Sequence, residues 1–145
     1  MKRARPDIET TVAFLCTRVT KINEDDWKEL HILISFLKSK IDDVRFIEAT
    51  NLTDIYTWID AAYTAHNNMI SQTGGAISMG HGLIYAKAGI QKLNTKSSTE
   101  AEVVGVSDSF PYNIWLINFM DVQGHKIVNN VLYQDNQSEI KMEMN

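Results

Sequence analysis

The sequence predicts an α/β domain built on a mixed sheet, and three observations carry that reading. Residues 1–48 place apolar side chains at helical spacing. The character changes near residue 49, where "TDIYTWIDAAY" (residues 53–63) concentrates β-branched and aromatic residues as strands do. From there the pattern runs β-β-β-α-α-β-α, which joins a hairpin-built antiparallel part to a fourth strand returned parallel by a helical crossover. A chain of 145 residues is long enough to bury one ordinary core.

The elements follow in order. Val12, Leu15 and Val19 suggest a first, short helix. "NEDDWKELHILISFLKSK" opens on Asn23 as an N-cap, with Glu24, Asp25 and Asp26 where negative charge suits the helix dipole. Trp27, Leu30, Ile34 and Leu37 mark its expected packing face. In the first strand Ile55, Thr57 and Ile59 point one way and Tyr56, Trp58 and Asp60 the other. Both faces are largely apolar, so the strand is expected to be central. The polar loop "TAHNNMISQT" leads to "GGAISMGHGLIYAKAG", read as two strands around a His81-Gly82 turn. "KSSTEAEVVGVSDSF" starts a helix, and Pro111 suits the first turn of a second helical piece, Tyr112 to Val122, ended by Gly124. "NNVLYQ" is the fourth strand, and a further helix is expected from Ser138.

Composition narrows the function classes. The single cysteine, Cys16, excludes an internal disulfide and a cysteine-built zinc site. No two histidines have the spacing of a zinc-binding helix. A formal net charge of −4 argues against strong non-specific nucleic-acid affinity over the whole surface. Lys87, Lys92 and Lys96 could still form a local basic face, with a solvated strand edge as the default. No apolar run is long enough to span a membrane, and the basic start "MKRARPDIETT" lacks the apolar centre of a signal peptide. An intracellular location, cytoplasm or nucleus, is expected.

Three carboxylates stand out by position. Asp60 lies late in an apolar strand, Glu102 one turn into a helix, and Asp135 at the end of another strand. Ligands of open α/β sheets collect at the carboxyl ends of strands, and oxygen ligands converging there suit hard divalent cations. Such ions can activate water for phosphodiester hydrolysis. Plainer roles compete. Ser97 with Glu100, and Thr99 with Glu102, both form the S/T-x-x-E capping pattern. Asp135 could cap the next helix. Asp60, between Ile59 and Ala61 in a central strand, is expected to need a partner. Asp42, Asp43, Asp54 and Asp108 are expected in solvent, and Trp58, Trp115 and Phe119 in the core.

The strings are more specific than their spacing. "TWIDAAYTAH", "TGGAIS", "QKLNTKSSTEAEVVGVSDS" and "LYQDNQSEIK" together resemble the ribonuclease H domain of copia-type retrotransposon polyproteins. "PDIETTVAFLCTRV" and "DDWKELHILISFLKSK" look like the end of the reverse transcriptase region that precedes it. The resemblance implies two parts: residues 1–48, a helical tail of the reverse transcriptase region, and residues 49–145, a ribonuclease H-like domain. It implies that Asp60, Glu102 and Asp135 are catalytic and hold two Mg2+ ions, with Mn2+ as a substitute, and that Glu100 caps. Gly75, Asn136 and Gln137 would lie on the substrate side. The implied substrate is an RNA–DNA hybrid, recognised by backbone shape and 2′-hydroxyls, and the implied protein partner is the reverse transcriptase region of the same polyprotein. Departures from the pattern are Ala62 in place of a serine, Glu139 in place of an alanine, and the segment "AKAGIQK". The family also places a fourth acid, a fifth strand and another helix further on. The resemblance therefore implies an incomplete domain, weak or inactive alone, or a non-catalytic fragment serving as an interaction module.

Overall fold

A computed structural model describes residues 5–64 and 70–134. The predicted fourth-strand acid Asp135, its neighbours Asn136 and Gln137, and the helix expected from Ser138 lie outside the described residues.

The sheet is organised around β2 (Asp54–Ala62). It pairs antiparallel with β3 (Gln72–Ser78) and parallel with β6 (Asn129–Tyr133), while β5 (Leu83–Ile90) pairs antiparallel with β3. The strand order is therefore β5-β3-β2-β6, a mixed sheet with β2 central. The described elements thus make an α/β fold, as the sequence predicts. A second, two-stranded sheet joins β1 (Glu48–Ala49) to β4 (Gly80–His81). The sequence does not announce it, because two-residue strands leave no alternation to read. The turn near His81 depends on Gly82, whose positive φ of +85° and approach to the Phe46 carbonyl leave no room for a side chain.

Alternation sorts the side chains of β2 as predicted. Ile55, Thr57 and Ile59 are buried beneath α3 (Ser98–Val122), and Tyr56, Trp58 and Asp60 face the other way. Gly105 lets α3 lie close to the sheet: a Cβ there would stand 3.3–3.5 Å from Thr73, Ile59 and Ala61 side-chain carbons. Leu116 and Met120 complete the main core with Ile55, Ile77 and Met79. Across that layer Asn113 Nδ2 donates to Thr57 Oγ1 at 2.7 Å and to Asn130 Oδ1 at 2.8 Å, and Asn130 Nδ2 donates back to Asn113 Oδ1 at 3.0 Å. This amide pair ties α3 to β2 and β6, and so helps to fix the register of the parallel strand.

The helix over Ser98–Val122 is continuous, which corrects the expected break before Pro111. Proline costs a helix the hydrogen bond to the carbonyl four residues back, here Ser107. Ser107 and Pro111 are both exposed, so water can satisfy that carbonyl, while Asn113, Leu116 and Met120 hold the rest of the helix on the sheet.

The N-terminal segment packs on the sheet through α1 (Glu9–Arg18), which contacts β5. α2 (Glu24–Ser39) follows α1 and carries the Asn23 cap as predicted: Asn23 Oδ1 accepts from Asp26 N at 2.8 Å and Asp26 Oδ2 from Asn23 N at 2.9 Å. Arg18 Nε donates to Asp26 Oδ1 at 3.1 Å, so the cap also docks α2 on α1. The packing face of α2 is not the predicted one. Leu33 is buried and Leu30 and Leu37 half-buried, whereas Trp27 and Ile34 are exposed. Asp26 and Leu33 turn inward because the ion pair to Arg18 fixes the rotation of the helix.

Candidate active site

The site begins at the N-terminus of α3. Ser97 Oγ accepts from Glu100 N at 3.1 Å, and Glu100 Oε2 accepts from Lys96 N at 2.6 Å. Glu100 therefore serves the cap, one of the two roles its spacing allows. Gln91, at the end of β5, clamps the same turn to the sheet by donating to Thr73 Oγ1 at 2.8 Å and to the Ala101 carbonyl at 2.6 Å. With the first turn fixed from both sides, Glu102 is delivered to the sheet. It is 4% exposed, and its Oε1 accepts from Ala61 N at 3.2 Å. A carboxylate from α3 thus binds the peptide that follows Asp60.

Asp60 itself is exposed and stands on the opposite face of the sheet. It does not need the buried partner that a central-strand position suggested, because that face is only partly covered. Asp60 and Glu102 are brought to one strand end from positions far apart in sequence. Among the described residues no group of three or more His, Cys, Asp or Glu side chains is placed to hold a metal ion. The two acids are hard oxygen donors of the kind magnesium prefers, so they suit such an ion as part of a ligand set without completing it.

Asp60 opens into a cleft of about 510 Å³ on that face. Its floor is Gly74, Ala76, Ala86 and Ala88, small residues in register across β3 and β5. Trp58 and Tyr133 form one wall, their rings 5.4 Å apart and within 13° of parallel. They are 41% and 45% exposed, which corrects the expectation that Trp58 is a core residue. Trp115 and Phe119 are exposed as well, stacked on each other along the outer side of α3. Their size suggested the core, but their helical positions put them beside rather than on the buried line of Asn113, Leu116 and Met120. The start of α1 forms the other wall, and Glu9 belongs to it. Nothing in the sequence marks Glu9; only the packing of α1 on β5 brings it here.

Gly75 lines the same cleft with its backbone, and on its other side a Cβ would come within 2.8 Å of Ser109 Oγ. The glycine thus has a packing reason of its own. Lys87, from the possible basic patch, lies over the Tyr112 ring at 5.1 Å with Nζ 3.5 Å from its hydroxyl. The hydrogen bond from Tyr85, and then Lys87, lower the Tyr112 pKa from its ordinary value. Asp54, expected in solvent, instead accepts from Asn129 Nδ2 at 2.8 Å and joins the start of β2 to β6.

Comparison with known proteins gives this geometry a context. Over 142 residues, 97% of the chain, the sequence is 27% identical to the "Retrovirus-related Pol polyprotein from transposon TNT 1-94" of Nicotiana tabacum. Over 134 residues, 91% of the chain, it is 25% identical to the "Retrovirus-related Pol polyprotein from transposon RE2" of Arabidopsis thaliana. The chain spans 11% and 9% of the length of these two curated relatives. No family model matches it, and no solved structure does. Among the described residues no helix is long and apolar enough to cross a membrane.

Proposed function

We propose that this chain is a retrotransposon-derived ribonuclease H-like domain that hydrolyses the RNA strand of RNA–DNA hybrids. The observation that carries the reading is the bond from Glu102 to the Ala61 amide, which joins the motif "STEAE" to the motif "WIDAAY" in space. The parallel pairing of β2 with β6 supports it further. Tyr133 is the register partner of Trp58, and Asp60 and Asp135 each follow that pair by two residues in sequence. The similarity to two transposon Pol polyproteins agrees with such an origin.

In this reading Asp60, Glu102 and Asp135 would hold magnesium, which when bound supplies a more acidic water and neutralises charge on the phosphodiester. The protein's own contribution is positional. The Ala61 amide orients Glu102, Gln91 and Ser97 fix the helix that carries it, and β2 holds Asp60 at the edge of an open cleft. Gly75, Asn136 and Gln137 are proposed substrate-side residues. The reverse transcriptase region of a polyprotein would be the neighbouring partner, with residues 1–48 as the connection.

The exposure of Trp27 (61%), together with exposed Ile32 and Ile34 on α2, favours a second reading, an interaction module without catalysis. One experiment separates the two. The chain is mixed in excess with an end-labelled RNA–DNA hybrid, with and without Mg2+, and its association state is followed by light scattering. Hydrolysis expects Mg2+-dependent cuts confined to RNA and abolished by Asp60→Asn. Uncut hybrid together with stable self-association would replace hydrolysis with the module.

A further inference from the structure

The cleft beside Asp60 contains a feature that hydrolysis does not use. Glu9 is 8% exposed, yet its Oε2 has no hydrogen-bond partner among the described residues. Its Oε1 has only a long contact, 3.4 Å, from the Ala88 amide. A carboxylate this far from water is costly unless a donor or a cation meets it. Glu9 lines the cleft while Oε2 itself is covered, so a rotation of its side chain would bring the carboxylate to a donor there.

The register places the rest. Gly74 pairs with Asp60 on one side and with Ala88 on the other. Asp60 and the amide that Glu9 contacts are thus two strand spacings apart, roughly 10 Å. The floor between them has no side chain at Gly74 and only methyl groups around it. Trp58 and Tyr133 rise next to this floor as a flat, half-open aromatic wall. The cleft therefore offers a carboxylate at each end, an aromatic face at the side and a floor low enough for a planar group.

These features select a ligand by chemistry. Two carboxylates repel phosphate. Among the described residues they belong to no group of three or more acids, histidines or cysteines placed to hold a metal ion. An ammonium ion would also be drawn to the aromatic wall, but as a compact point charge it would satisfy only one carboxylate. A guanidinium is planar, always charged, stacks on aromatic rings and donates in two directions at once. We propose that the cleft is a docking site for an arginine side chain of a partner protein, its guanidinium lying over Gly74 beside Trp58 and Tyr133, between Glu9 and Asp60. The proposal does not require hydrolysis, but it shares Asp60 with the metal site proposed above, so its test is run without divalent ions.

The test is a two-dimensional amide and indole NMR titration of the whole chain with the peptide acetyl-Gly-Arg-Gly-amide. Saturable shifts are expected at the Gly74 and Ala88 amides and at the Trp58 indole. Replacing arginine by citrulline, nearly the same shape without the charge, is expected to weaken binding at least tenfold. Glu9→Gln keeps the shape of the side chain, its spectrum reports whether the fold is kept, and it is expected to weaken binding severalfold. Equal binding of the citrulline peptide, equal binding of a lysine peptide, or unchanged affinity in a folded Glu9→Gln chain would each overturn the proposal. Methylguanidinium binding as tightly as the peptide would overturn the protein partner in favour of a small cation.

Discussion

Single residues account for most of the site's geometry. Glu102 accepts from the Ala61 backbone amide, and Asp60 is left open to the cleft on the far side of the strand. Asn113 is buried, and its amide joins a helix to two strands. Asn113→Ala strands the buried Thr57 hydroxyl, which costs about 1–3 kcal/mol, while the amide of exposed Asn130 can turn to water. A loss of about 1–3 kcal/mol is therefore expected in urea unfolding; an unchanged midpoint would show that β6 does not depend on the pair. At this scale the sequence was informative where residues form a recognisable string. "STEAE" and "WIDAAY" mark Glu102 and Asp60 as candidates, and Glu102 accepts from the amide that follows Asp60. Glu9 was silent, since its contact is 79 positions away and no local pattern encodes it. Asp60 was misjudged in one respect: an apolar strand suggested burial, and the open face of the sheet removed the need for a partner.

Elements were legible when their local signals agreed. α2 shows the Asn23 cap, the acidic first turn and the basic close that its sequence displays. The rotation of its packing face was not legible, because an ion pair to another helix sets it. That same pair makes a pH-dependent prediction. The Asp26 carboxyl is held below its ordinary value by the Asn23 backbone N–H first, against the opposing effect of burial, and then by Arg18. A lowered folded value means stability that is present above the unfolded pKa and lost as pH falls through the folded one. Melting temperature is therefore expected to drop from about pH 4 downward, with Asp26→Asn reducing this dependence; identical profiles for the two chains would remove Asp26 from the account. In α3 the reading of Pro111 as a helix start followed a sound local preference. Packing of both halves of the helix on one sheet overrode it. Trp115 and Phe119 show the limit of reading size as burial, because their place on the helix decides their exposure.

At the scale of the whole molecule, topology was the most legible property. Strand-like runs before a helical segment implied an antiparallel part and a parallel return, and β5-β3-β2-β6 is that arrangement. The two-residue sheet of β1 and β4 and the packing of α1 on β5 are long-range contacts with no period to reveal them. The chain is similar to two transposon polyproteins at 25–27% identity, and the acids give that similarity a chemistry to test. The central claim is that Asp60, Glu102 and Asp135 serve one divalent-ion site. Electron paramagnetic resonance of added Mn2+ measures this most directly, by counting bound ions in the native chain and in Asp60→Asn, Glu102→Gln and Asp135→Asn. The account expects saturable binding to the native chain, competed by Mg2+, and the same ion lost or weakened at least tenfold in all three variants. Native-like binding in any one of these folded variants would show that its acid does not share the site, and would contradict the claim.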